Sequence, residues 1–85
     1  RVAAISGGSE GIGRATALRF VREGAKLALC ARRVDVLEAF AVELRALGGE
    51  VLAGPADASK PGELERFIPE TVRHYGGIDI LVNYA

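Results

Sequence analysis

An α/β fold built on a doubly wound parallel sheet, with elements in the order βαβαβαβ, is what this sequence predicts, and three observations predict it. Short apolar runs of strand length alternate with longer stretches in which apolar residues recur every three or four positions. Glycines stand at the joints: the helical stretches close on Gly24, on Gly48-Gly49 and on Gly76-Gly77. Between the first apolar run and the first helical stretch lies Ser6-Gly7-Gly8-Ser9-Glu10-Gly11-Ile12-Gly13, so a strand feeds a glycine-rich turn that feeds a helix N-terminus. Crossovers between parallel strands are right-handed, so the helices should cover the sheet in a doubly wound arrangement. A ligand should then sit at the carboxyl ends of the strands.

Taken in order, residues 2–6 read as the first strand. Ile12, Ala15, Leu18 and Val21 then recur at helical spacing until Gly24, which suits the left-handed position after a helix. The second strand is Leu27 to Ala31. Leu37, Phe40, Ala41, Leu44 and Leu47 mark one face of a second helix. Glu50 to Ala56 forms a third strand whose end is weakened by Gly54 and Pro55. The third helix takes Ser59 as its N-cap and Pro61 in its first turn, with Leu64, Phe67, Ile68, Val72 and Tyr75 on one face. Ile78 to Val82 closes the series as a short apolar run, expected to be a strand buried on both faces.

Composition narrows the function. Eleven basic and eleven acidic residues give a formal net charge of zero, which removes any long-range reason to favour nucleic acid or an anionic membrane surface. No stretch approaches the roughly twenty apolar residues that span a bilayer, and the N-terminus lacks the pattern of a signal peptide. A single cysteine, Cys30, cannot form an intrachain disulfide; within an apolar run it reads as an inert buried thiol of a reduced, cytoplasmic protein. One cysteine and one histidine make no metal site, and His74 reads as a solvated residue rather than a base. At 85 residues the chain is smaller than the domains that usually carry this pattern, and it begins and stops inside strand-like residues. It is therefore expected to be part of a domain, cut at both ends.

The glycine turn is where chemistry enters. The first turn of a helix has unpaired backbone N–H groups and the positive end of the macrodipole, and glycines remove the Cβ atoms that would hold a diphosphate away. The spacing at Gly7, Gly11 and Gly13 is G-x-x-x-G-x-G, not G-x-G-x-x-G. It is not a phosphate loop of the Gly-Lys-Ser/Thr kind either, because Arg14 and Ala15 follow Gly13.

With these residues laid out, the chain resembles the typical branch of the short-chain dehydrogenase/reductase family, whose glycine motif is T-G-x-x-x-G-[AI]-G, with Ser6 standing for the Thr. The resemblance runs over all 85 residues. It takes in the glycine turn, Arg32-Arg33 after the second strand, Asp57-Ala58 after the third, and Leu81-Val82-Asn83-Tyr84-Ala85 after Gly77-Ile78-Asp79. That last segment is similar to the family's L-V-N-N-A-G, with Tyr84 replacing the second Asn. The resemblance implies a Rossmann-type sheet and an NADP-binding half-domain over residues 1–85.

Site residues follow from the same resemblance. Gly7, Gly11 and Gly13 would admit the cofactor phosphates, with Ser9, Glu10 and Ile12 lining them or the nicotinamide side, largely through backbone. Glu10 departs from the Lys or Arg of many NADP-preferring relatives and must turn outward. Ser6 would brace the loop through its hydroxyl. At the end of the second strand Ala31 stands where NAD users carry an acid that hydrogen-bonds the ribose 2′-hydroxyl. Arg32 and Arg33 follow, suited to a 2′-phosphate, so NADP is the expected cofactor and NAD the alternative. Arg14 is a further candidate for that phosphate. Asp57 would contact adenine while Ala58 offers backbone, and Asn83 and Ala85 would border the riboses; otherwise Asp57 caps the third helix and Asn83 ties neighbouring strands.

The family's later Ser and Tyr-x-x-x-Lys are absent, because neither Tyr75 nor Tyr84 has a Lys four residues on. No catalytic residue is assigned. The expectation is an NADP-dependent dehydrogenase or reductase acting on a small-molecule carbonyl or alcohol, a homo-oligomer when full length. The competing class is a non-catalytic nucleotide-binding module. The spacing does not fit the extended branch, which holds epimerases and dehydratases and usually carries T-G-x-x-G-x-x-G.

Overall fold

The structure, a computed structural model, describes residues 1–7, 11–56 and 60–83. Seven elements follow one another as the alternation requires: β1 (Val2–Ser6), α1 (Gly11–Arg22), β2 (Lys26–Ala31), α2 (Val34–Ala46), β3 (Val51–Pro55), α3 (Glu63–Tyr75) and β4 (Ile80–Asn83). All strand pairs are parallel and the sheet order is β3-β2-β1-β4. From β1 the chain steps outward through β2 to β3, then crosses back to β4 on the other side of β1. This reversal of direction opens the crevice between β1 and β4.

Alternation within the strands decides what each helix packs on. Ala3 and Ile5 of β1, with Leu27, Leu29 and Ala31 of β2, face a core closed by Ala17 of α1 and by Leu37, Phe40, Ala41 and Leu44 of α2. Ala4, Ala28 and Cys30 point the other way, to a smaller core under Phe67 of α3. Small residues on this second face let α3 come close. Gly54 belongs to the same fit, since a Cβ there would stand 3.2 Å from Cδ1 of Phe67. Each fully buried Leu, Ile or Phe contributes about 1.5–3 kcal/mol of transfer free energy, so the α1/α2 face carries most of the apolar stabilisation.

Several expectations shift. The third helix starts at Glu63 behind Gly62, whose left-handed φ of 86° forms the N-cap. Pro61 therefore lies in the preceding turn, and Ser59 lies outside the described residues. Its packing face is Leu64, Phe67, Thr71 and Tyr75, whereas Val72 is 41% exposed. Thr71 fits inside because its hydroxyl donates to the Phe67 carbonyl at 2.9 Å. In α1 the buried residues are Gly13 and Ala17, and Ile12 and Ala15 point outward. Leu47 caps α2 in the open instead of extending its apolar face.

The fourth strand starts two residues later than its apolar run, because Asp79 is used as a tie. Its N–H donates to the Val2 carbonyl at 2.9 Å, and its carboxylate accepts from the Val2 N–H at 2.8 Å. Nor is β4 buried on both faces: as an edge strand it leaves Leu81 51% exposed. Two further bonds secure the amino ends of the strands, from the Tyr75 hydroxyl to the Leu27 carbonyl at 2.8 Å and from Arg45 Nη2 to the Val51 carbonyl at 2.9 Å. No helix among the described residues is long and apolar enough to cross a membrane.

Candidate cofactor-binding site

The carboxyl ends of β1 and β4 bring Ser6 and Asn83 side by side in register. The Ser6 hydroxyl donates to Asn83 Oδ1 at 2.5 Å. The register puts an acceptor beside the Ser6 hydroxyl, and the pair ties β1 to β4, as the alternative reading of Asn83 has it; the loop that Ser6 is expected to brace lies in part outside the described residues. Asn83 itself is exposed at the strand end.

Immediately after Ser6 the chain turns on Gly7, whose φ of 73° lies in the left-handed region that side chains disfavour. Its N–H donates to the Cys30 carbonyl at 2.8 Å, which joins the turn to the end of β2. Gly11 opens α1 with a φ of 58°, and a Cβ placed on it would meet nothing within 4 Å among the described residues. That open ground lies over the first turn of α1, where N–H groups have no partner within the helix. No acidic residue stands in that turn. A diphosphate suits these donors: the glycine holds a left-handed conformation that side chains disfavour, no described residue fills the space a Cβ would take, and the dipole favours negative charge. Ile12 is 71% exposed beside it, and Gly13 is buried.

At the end of β2, Arg32 is exposed and Arg33 is the extended N-cap residue of α2, with φ −91° and ψ 96° and no side-chain cap bond. Both arginines thus stand at the same edge of the sheet as Gly7 and Asn83. Arg14 does not join them. Its Nη2 pairs with Glu43 Oε2 at 2.5 Å, and its guanidinium lies over the Phe40 ring, 4.5 Å from the centroid. Nothing in the sequence marks Glu43 as its partner, because the pairing depends on how α1 and α2 lie side by side. Ser9, Glu10, Asp57, Ala58 and Ala85 lie outside the described residues.

Other reactive groups stay apart from this chemistry. Burial pushes the Cys30 thiol up to about 11, against a smaller lowering by the Gly7 N–H, so it is protonated at neutral pH and no nucleophile. His74 is exposed on α3 and meets Tyr75 edge-on, with centroids 4.6 Å apart. Among the described residues no group of three or more His, Cys, Asp or Glu side chains is placed to hold a metal ion. A shallow cleft of about 240 Å³ lies between β3 and α3, lined in part by Gly54, Glu63, Arg66 and Glu70. None of its walls comes from β1, α1 or β4.

Comparison with known proteins agrees with the fold. The family model described as short chain dehydrogenase matches residues 1–85. The chain is 45% identical over 86 aligned positions to an 11-beta-hydroxysteroid dehydrogenase-like protein of Arabidopsis thaliana, covering 100% of this chain and 28% of that protein. L-sorbose reductase from Gluconobacter frateurii, solved with NADPH and L-sorbose, superposes with a TM-score of 0.95 at 41% identity, over 100% of this chain and 33% of the other. An alcohol dehydrogenase from the archaeon Thermococcus sibiricus, complexed with 5-hydroxy-NADP, gives a TM-score of 0.89 at 41% identity, over 95% of this chain and 35% of the other. The chain thus spans about a third of the length of these relatives.

Proposed function

This chain belongs to the short-chain dehydrogenase family, and on that premise we propose that residues 1–85 form the NADP(H)-binding half-domain of an oxidoreductase. Its reaction moves hydride between the nicotinamide and a carbonyl or alcohol carbon of a small molecule. The cofactor supplies the hydride chemistry; this part of the protein binds and orients it. The observation that carries the reading is the glycine turn opening α1 beside the β1–β4 crevice, with two arginines leaving the adjacent strand. In it, Gly7, Gly11, Ile12 and Gly13 receive the diphosphate, together with Ser9 and Glu10. Asp57 and Ala58 border the adenine, and Asn83 and Ala85 the riboses.

Preference for the 2′-phosphate rests on Arg32, with Arg33 beside it. Ala31 offers no carboxylate to a ribose hydroxyl, whereas a guanidinium gives a phosphate a planar, charge-assisted fork. Two solved relatives hold NADPH or an NADP analogue, which supports the same choice for this chain. The test is a pair of fluorescence titrations on the full-length protein. NADPH should bind more tightly than NADH, and Arg32→Asp should narrow or reverse the difference. Losing one charge-assisted phosphate contact costs about 1.5–3 kcal/mol, roughly ten- to a hundredfold in NADPH affinity. Equal dissociation constants for the two cofactors, before and after the substitution, would overturn the assignment.

A further inference from the structure

Two anchor points must keep a fixed separation if a cofactor is to engage both. One is the first turn of α1, whose N–H groups have no partner within the helix and would take the diphosphate; the other is the Arg32-Arg33 pair at the start of α2. The two helices lie on the same face of the sheet, α1 against β1 and β2, α2 against β2 and β3. Each is therefore seated mainly on strands, and the sheet alone does not fix how one helix sits along the other.

A direct link across that seam comes from Arg14. It lies in the first turn of α1, three positions after Gly11, and its guanidinium is committed on two sides. Nη2 meets Glu43 Oε2 of α2 at 2.5 Å, and Cζ stands 4.5 Å over the ring of Phe40, which is 2% exposed in the shared core. The geometry uses what is particular to arginine, a flat cation that stacks by its face while hydrogen-bonding by its edge. At the other end of the seam Val21 of α1 abuts the turn after α2, with its methyl groups about 3.0 Å from where a Cβ of Gly49 would stand. Arg14 thus makes the contact between the two helices themselves, and that contact is polar and specific.

We infer that Arg14, Phe40 and Glu43 form a clamp that sets the spacing between the diphosphate grip and the 2′-phosphate arginines. Arg14 and Glu43 are then positioning residues for the discrimination of NADPH from NADH. The inference rests on the cofactor reading given above. A loosened clamp lets α2, with Arg33 as its N-cap and Arg32 just before it, move against α1. NADPH engages both anchors with phosphate groups and loses when they drift apart; NADH engages the first with phosphates and loses little.

The experiment measures dissociation constants for both cofactors on the full-length protein and on three variants. Glu43→Gln removes the ion pair without touching α1. Glu43→Lys sets like charges against each other, and Arg14→Lys keeps a positive charge near the turn but gives up the planar fork. The ratio of NADH to NADPH dissociation constants should fall by about threefold or more in Glu43→Gln and Arg14→Lys, and further in Glu43→Lys, with NADH binding changed by less than about twofold. A merely structural role would weaken both cofactors alike, and that result overturns the inference, as does an unmoved ratio. Should Glu43→Lys fail to fold, Glu43→Gln decides, its side chain being 44% exposed in the parent. If the wild-type protein shows no NADPH preference, the cofactor reading fails and the clamp falls with it. If the preference is present and the variants keep it, only the clamp is wrong.

Discussion

At the scale of single residues, the chemistry of this chain is decided by environment rather than by type. Cys30 is fully buried at the end of β2, and burial raises its thiol from 9.0 to about 11. The folded protein therefore holds a proton that the unfolded chain releases earlier. Its contribution to stability is complete below pH 9 and is lost as pH rises towards 11. Tyr75 is raised as well, chiefly by burial and then by the nearby Glu50, and acts in the same direction at higher pH. Denaturant unfolding should show a loss on the order of 1–2 kcal/mol between pH 7 and pH ~10.5 from Cys30. In Cys30→Ala that slope should flatten, leaving only the later part due to Tyr75; an unchanged slope would show that the thiol is not the group involved.

Elements add a polarity that no residue has alone, since the two ends of the strands are secured by hydrogen bonds with different consequences. The Tyr75 hydroxyl reaches the Leu27 carbonyl at the amino end of β2, while Ser6 reaches Asn83 at the carboxyl ends of β1 and β4. Each bond is worth about 1 kcal/mol when deleted cleanly. Tyr75→Phe should lower stability by roughly that amount and leave NADPH binding unchanged. Ser6→Ala should cost a similar amount and also weaken NADPH by about threefold or more, because the floor of the crevice loosens. Thermal unfolding and cofactor titration on the same samples separate the two; equal binding in both variants would place the cofactor away from the carboxyl ends. The sequence makes the strand and helix order legible because the α2 face, Leu37-Phe40-Ala41-Leu44, and the buried runs of β1 and β2 leave one periodicity each. It misplaces the start of β4 because the apolar run already begins at Ile78, whereas Asp79 is spent on bonds to Val2 of β1 before the strand starts. It misplaces the start of α3 because Gly62, not a polar cap, sets the turn. In the site, the glycine turn and the arginines are readable as local motifs. Asn83 as a strand tie is readable as an alternative, but its pairing with Ser6, like that of Arg14 with Glu43, is not, since the partners stand 77 and 29 positions apart.

For the molecule as a whole, sheet order sets the liabilities. The order β3-β2-β1-β4 makes β4 an edge strand among the described residues, with Leu81 51% exposed on it, and the outer side of an edge strand is a template for another strand to pair with. Formal net charge is zero and the sequence pI about 6.8, so near neutral pH little electrostatic repulsion keeps two such edges apart. A polypeptide of these 85 residues, expressed alone, should therefore associate reversibly as concentration rises towards ~100 μM, seen as a concentration-dependent mass in sedimentation velocity. Leu81→Lys should return it towards monomer: a charged side chain on an edge strand must be desolvated when another strand pairs beside it. The same polypeptide should show no turnover with NADPH and carbonyl substrates, lacking the Ser and Tyr-x-x-x-Lys that the family places further along the chain. Because the contact is made by the exposed edge and not by the cofactor crevice, adding NADPH should leave the mass distribution where it was. A mass that stays monomeric in the parent, or one that NADPH shifts while Leu81→Lys does not, would locate the contact elsewhere.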